Sequence, residues 1–251
     1  MAHPFEVRNE IEVDASPEEV WEAIATGPGL DSWFMGRNEV EPREGGKARM
    51  TLAAWTLEST VTVWDPPNRL VTETSEGEDG RLMTFEYVIE GRGEGRTVLR
   101  FVHNGFLPGD DWETEYDALK SGDPMYVHKL AQYLKYFRGR FATPIDVYGP
   151  QVPDQDHAWE MLRRGLGLTG ALTEGDKVRL TPEGLPPIEG TVDYVSPETL
   201  GVRTTDGLYR FIHGLEGTVV AGHHIFSDDV DQRETEQAWQ SWLTRLFSQA
   251  R

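Results

Sequence analysis

Two stretches of this chain repeat one another. Trp21-Glu22-Ala23-Ile24-Ala25-Thr26-Gly27-Pro28-Gly29-Leu30 aligns with Trp159-Glu160-Met161-Leu162-Arg163-Arg164-Gly165-Leu166-Gly167-Leu168 at a separation of 138 positions. Further on, Thr60-Val61 through Pro66 matches Thr191-Val192 through Pro197 at 131. Thr97-Val98 with His103 matches Thr218-Val219 with His224 at 121. A fixed order of matches with shrinking separations is what duplication followed by loop shortening leaves. The fold must therefore be one that 251 residues can build twice, the second time with shorter loops.

The periodicity fills in the elements. Phe5, Val7, Asn9, Ile11 and Val13 alternate with mostly charged residues, the period of a half-buried strand. Ser16 with Glu19 three positions later forms a capping-box pattern, and Pro17 suits the first helical position. Val20, Trp21 and Ile24 then predict a short amphipathic helix that Gly27-Pro28-Gly29 stops. Strands are predicted over residues 47–52, 59–64, 69–73, 81–90 and 96–104, joined by connections too short for parallel crossovers, so the sheet is an antiparallel meander. Trp112, Tyr116 and Leu119 suggest a helical turn or two. Pro124 is then expected to open a long helix carrying Val127, Leu130, Ala131, Leu134, Phe137 and Phe141. Residues 1–142 read as one domain, and 143–156, with Pro144, Pro150 and Pro153, as a Pro-rich linker. Residues 157–251 repeat the order. A helix capped by Asp156 carries Trp159, Leu162 and Leu166. Strands follow at 177–180, 189–195, 199–204, 208–213 and 218–226, with a hairpin turn at Thr205-Asp206-Gly207. The closing helix, 235–249, has the apolar stripe Ala238, Trp239, Trp242, Leu243, Leu246 and Phe247.

Charge and composition narrow the function. Acidic residues outnumber basic ones 43 to 24, a net charge of −19, which argues against nucleic acid and anionic membranes as partners. Apolar content of 38% is enough for a packed core. The absence of cysteine excludes disulfides, thiol nucleophiles and Cys-based metal sites. The first residues, Met1 to Glu6, show no basic and then apolar run, so no secretory signal is expected and a cytoplasmic location is. Gly165-Leu166-Gly167-Leu168-Thr169-Gly170 spells a dinucleotide fingerprint but follows a helix and precedes a strand, the wrong context. His213, His223, His224, Asp228, Asp229 and Asp231 look superficially like a metal cluster. Adjacent strand residues face opposite ways, however, so His223 and His224 do not share an ion. No metal, no cofactor and no established catalytic motif is expected. Paired acids such as Asp110-Asp111 and Glu18-Glu19 read as solvated surface.

Particular residues carry a family resemblance. They are the run Ile11 to Trp21 (IEVDASPEEVW), Leu30-Asp31-Ser32-Trp33-Phe34, the Gly45-Gly46 turn, His103 at the end of a strand, and Tyr133-Leu134 in the long helix. On these, residues 5–142 resemble the helix-grip superfamily called SRPBCC, or START/Bet v 1-like, and within it the group named for activators of the Hsp90 ATPase. The resemblance implies an α+β helix-grip fold: a curved antiparallel sheet wrapped around a long C-terminal helix and an apolar cavity, followed here by a second, shorter helix-grip-like repeat. Many members open the last helix with a Gly-Trp pair. Gly122-Asp123-Pro124-Met125-Tyr126 stands there instead, a departure from the family pattern at the expected cavity entrance.

The same resemblance implies ligand classes. Members bind lipids, sterols, polyketides or other hydrophobic molecules, some are cyclases or hydrolases, and some act on a chaperone. A cavity here would be lined by Met83, Phe85, Tyr87 and Ile89 on one strand and Leu99, Phe101 and His103 on the next. Trp33, Trp55, Trp64, Tyr126, Leu130 and Tyr133 would complete it. Alternation alone is equally compatible with a solid core. Non-catalytic binding of a hydrophobic small molecule is the leading expectation. A chaperone-interaction or other protein-binding module is the alternative. The third reading is a cyclase or hydrolase using His103, with Glu86 or Arg100 if those face inward. His103 is the candidate polar anchor or general base.

Overall fold

The structure, a computed structural model, describes residues 2–52, 55–214 and 217–248. It divides into two units, Met1–Phe141 and Ala142–Arg251.

In the first unit, strand β1 (Ala2–Val13) leads into helices α1 (Pro17–Ala25) and α2 (Gly27–Leu30). The meander β2 (Arg37–Val40), β3 (Lys47–Leu52), β4 (Trp55–Asp65), β5 (Arg69–Thr74), β6 (Leu82–Gly93) and β7 (Arg96–Pro108) follows, and then helix α3 (Trp112–Tyr136). The seven strands form one antiparallel sheet in the order β1-β7-β6-β5-β4-β3-β2, so the first strand returns to pair with the last. The capping box forms as the sequence predicts. The Ser16 amide donates to Glu19 Oε2 at 2.8 Å, and the Glu19 amide donates to Ser16 Oγ. Helix α1 buries Val20, Ala23, Ile24 and Ala25. Trp33 is then pinned beneath it by an indole N–H donated to the Ala23 carbonyl at 2.9 Å.

Register sorts the sheet into two faces. Val7 lies opposite His103, which lies opposite Phe85, so these side chains share the inner face. The outer face carries ion pairs: Arg100 with Glu10 at 2.6 Å and with Glu90 at 2.5 Å, and Arg69 with Glu86 at 2.7 Å.

Helix α3 departs from expectation. It runs unbroken from Trp112 through Pro124 and stops at Tyr136, so Phe141 lies outside it and is exposed. Proline removes one helical N–H and normally starts or breaks a helix. Tertiary contacts hold the first turns nonetheless. Trp112 stacks on His3 at 4.9 Å, Tyr116 meets Phe5 edge-on at 6.5 Å, and Glu115 pairs with Arg81.

In the second unit the order recurs with one strand fewer. Strand β8 (Thr143–Gln151), helix α4 (Gln155–Gly165), strands β9 (Lys177–Leu180), β10 (Ile188–Val195), β11 (Thr199–Arg203), β12 (Gly207–His213) and β13 (Thr218–Ile225), and helix α5 (Gln232–Ser248) follow in turn. The six-stranded sheet, β8-β13-β12-β11-β10-β9, again closes its first strand on its last. Both units are thus α+β helix-grip units. The stretch 143–156 is no linker, because most of it is β8, the first strand of the second copy. Helix α4 is capped by Asp154, which accepts from the His157 amide at 3.0 Å, rather than by Asp156. Ile145, Val147, Leu162, Phe211, Trp239, Trp242 and Leu243 belong to this unit's buried core.

Candidate functional site

The inner face of β6 and β7 sits under α3 and is paved with rings. His103 stacks on Phe85 with centroids 4.3 Å apart and meets Phe5 edge-on at 5.1 Å. Tyr87 and Phe101 are tilted against each other at 4.9 Å. The alternation of β-strand side chains brings these rings together, as the sequence predicts for Phe85, Tyr87, Phe101 and His103.

His103 is 3% exposed, so its two ring nitrogens matter individually. Nδ1 lies 3.1 Å from Asp123 Oδ2. With the ring neutral, the carboxylate accepts from Nδ1–H and Nε2 is left as an acceptor. Nε2 is buried and has no hydrogen-bond partner among the described residues. The amide nitrogen of Asn9, on the same inner face opposite Phe101, is buried and unpaired as well. Burying such a group unpaired costs on the order of 1–3 kcal/mol. Burial, with the charge of Asp123 adding to it, holds the Tyr87 phenol well above its ordinary range, so it stays a neutral O–H.

Beside this cluster lies a gap of about 70 Å³, walled by Ile24, Leu30, Phe34, Leu57, Phe85 and Tyr87 among others. It has the volume of roughly two water molecules, well short of the roughly 300 Å³ or more of small-molecule sites. This gap by itself is therefore too small for a drug-sized ligand.

The remaining sequence candidates fall elsewhere. Trp55 is 53% exposed at the start of β4, opposite Leu52, and is not among the residues walling the gap beside His103. Trp64 packs edge-on against Trp21 of α1 at 4.9 Å. Trp33, Leu99 and Leu130 are buried core residues, and Met83 is half-buried on β6. Tyr133 donates its hydroxyl to the Arg140 carbonyl at 3.1 Å, and Tyr126 meets Phe34 edge-on at 5.1 Å. Glu86 and Arg100 are on the outer face in ion pairs, which removes them as partners of His103. Asp123 and Asn9 were not expected as site residues. Asp123 stands in the Gly-Asp-Pro segment that departs from the family pattern, and that departure was the available signal.

The repeat also needs one correction. Ile145 pairs with His223, as Val7 pairs with His103, and 138 positions separate Val7 from Ile145. The counterpart of His103 is therefore His223, not His224. His223 packs on Tyr209 at 4.9 Å and Trp239 at 4.5 Å, beneath α5.

A sheet whose first strand closes on its last, with a long C-terminal helix across the inner face, defines the helix-grip class. A family model described as "Activator of Hsp90 ATPase homolog 1-like protein" matches residues 14–135, all within the first unit. That match covers most of the first unit and supports its resemblance to the SRPBCC, or START/Bet v 1-like, superfamily. No curated protein matches the chain. Solved structures similar to it include a protein from Mesorhizobium loti, 24% identical, covering 52% of this chain and 96% of its own, with a TM-score of 0.45. The Aha1 dimer from Colwellia psychrerythraea is 18% identical over 54% of this chain and 99% of its own, TM-score 0.46. DynU16, from the dynemicin biosynthetic locus, is 22% identical over 96% of both chains, TM-score 0.44. Among the described residues no helix is long and apolar enough to cross a membrane.

Proposed function

We propose that the protein binds a hydrophobic small molecule at the inner face of its first unit, with His103 as the polar anchor. The observation that carries this is the buried His103 ring, oriented by Asp123 at 3.1 Å and ending in an Nε2 that has no partner among the described residues. A ligand offering a donor to Nε2 and an acceptor to the Asn9 amide would satisfy both groups, and its apolar body would replace contacts among Phe85, Tyr87 and Phe101. The 70 Å³ gap means that the wall must open to admit such a ligand. The cover over His103 itself is α3, and its weakest stretch is Gly122 to Pro124, the segment that holds Asp123.

The test is a fluorescence titration of the full chain with N-phenyl-1-naphthylamine, an uncharged apolar probe. Saturable one-to-one binding, weakened about tenfold in His103→Phe, is the expected result. Absence of saturable binding would overturn the reading.

A catalytic reading draws on the same pair, because a carboxylate behind a histidine is how a general base is oriented. Its test is turnover of a hydrophobic ester by the wild type and by His103→Ala. Unchanged turnover in the variant would remove it. A chaperone-partner reading draws on the description of the matching family. Failure of an Hsp90-type chaperone to co-purify with or bind the full chain would count against it.

A further inference from the structure

The second unit holds an opening of its own. A cavity of about 630 Å³ lies between the first turns of α5, the β11–β12 turn and the 184–188 loop. Its volume falls in the range of small-molecule sites. Its apolar wall includes Tyr209 from the sheet and Trp239 from α5, together with Ile188 and Val230. Its rim is acidic, and no lysine or arginine is among its lining residues.

The rim carboxylates are not equivalent. Glu189 is paired with Arg179 at 2.6 Å. Asp231 caps α5, accepting from the Glu234 amide at 2.9 Å, and so answers the positive end of that helix. Asp206, Asp229 and Glu234 form no ion pair among the described residues, and all three are exposed. Burial, with the charge of Asp206 adding to it, pushes the Tyr209 phenol up to about 12. The carboxylates are also too dispersed for a metal ion, since no group of three or more His, Asp or Glu among the described residues could hold one.

We propose that this cavity is a second ligand site, for an organic cation with an apolar body. The half-buried Tyr209 ring and carboxylates free of ion pairs both attract such a cation, and the apolar wall takes its hydrocarbon part. A neutral apolar ligand would gain only the wall, and an anion would be repelled by the rim. The inference stands on the second unit alone and does not require that the first unit bind anything.

The test is calorimetric titration of the full chain with benzyltrimethylammonium and with neopentylbenzene, its uncharged counterpart of the same shape. The cation should bind saturably, at least about tenfold tighter than the neutral compound, and more weakly as salt is raised. The exposed double variant Asp229→Asn/Glu234→Gln should weaken the cation about tenfold, while N-phenyl-1-naphthylamine binding stays as in the wild type. His103→Phe should leave cation binding unchanged, which separates this site from the first unit's. Equal affinity for both compounds would overturn the proposal, as would cation binding insensitive to the double variant. So would binding of an Arg-rich peptide with no saturation by the free cation, which would mark a protein-docking surface.

Discussion

Arg210 has no exposed surface, and its guanidinium grips Asp193 with two hydrogen bonds, 3.1 Å at Oδ1 and 2.5 Å at Oδ2. Gly201, opposite it on β11, makes room: a Cβ there would lie 2.7 Å from the guanidinium. Such a pair adds little net stability, but breaking it strands a buried charge. Arg210→Met should therefore cost about 3–5 kcal/mol, read as a fall in the urea midpoint. The double replacement Arg210→Met/Asp193→Leu should recover much of that loss. His103 differs in having one nitrogen satisfied and the other not. Sequence patterning placed its ring on the inner face correctly. It did not reveal Asp123, because a strand residue and a helix residue 20 positions apart meet only through the packing of α3 on the sheet.

At the scale of elements, α3 is a long helix with two weak points. Gly122 costs it backbone entropy, and Pro124 leaves the Lys120 carbonyl without its helical donor. A Cβ at Gly122 would meet nothing within 4 Å. Gly122→Ala should thus raise stability by about 0.5–1 kcal/mol, checked by thermal melting. If this segment opens to admit a ligand, the same variant should slow N-phenyl-1-naphthylamine association in stopped flow. An unchanged rate would place the entrance elsewhere. Strand β8 shows why some elements escape a sequence reading. Its prolines look like linker signals, but β8 is an edge strand of its sheet, where a missing N–H on the open side costs nothing. Helix α3 continues through Pro124, where the sequence predicts a start, for the complementary reason: ring stacking and an ion pair in its first turns outweigh local propensity.

At the scale of the whole molecule, the duplication was legible because the Trp-led helix and the strand starts kept their order. The residue-level match at the last strand was off by one, and only register distinguished His223 from His224. Two half-buried tyrosines tie stability to alkaline pH. Tyr148 and Tyr209 are each pushed up to about 12, chiefly by burial, against about 10 in an unfolded chain. The folded state keeps these protons longer than the unfolded one. Their contribution is therefore fully present below about pH 10 and is lost between about pH 10 and 12. Urea unfolding across that range should show stability falling with pH, and Tyr209→Phe should flatten the fall. A flat profile in the wild type would contradict it.

The central claim is that His103 Nε2 is an acceptor waiting for a ligand's donor. The most direct measurement compares 1-naphthol with naphthalene, the same body with and without a hydroxyl donor, binding to the full chain and to His103→Phe. The wild type should prefer 1-naphthol by about tenfold, the worth of one buried hydrogen bond, and the variant should show no preference. Equal binding of both compounds by the wild type, a preference that survives in the variant, or binding of neither would contradict the account.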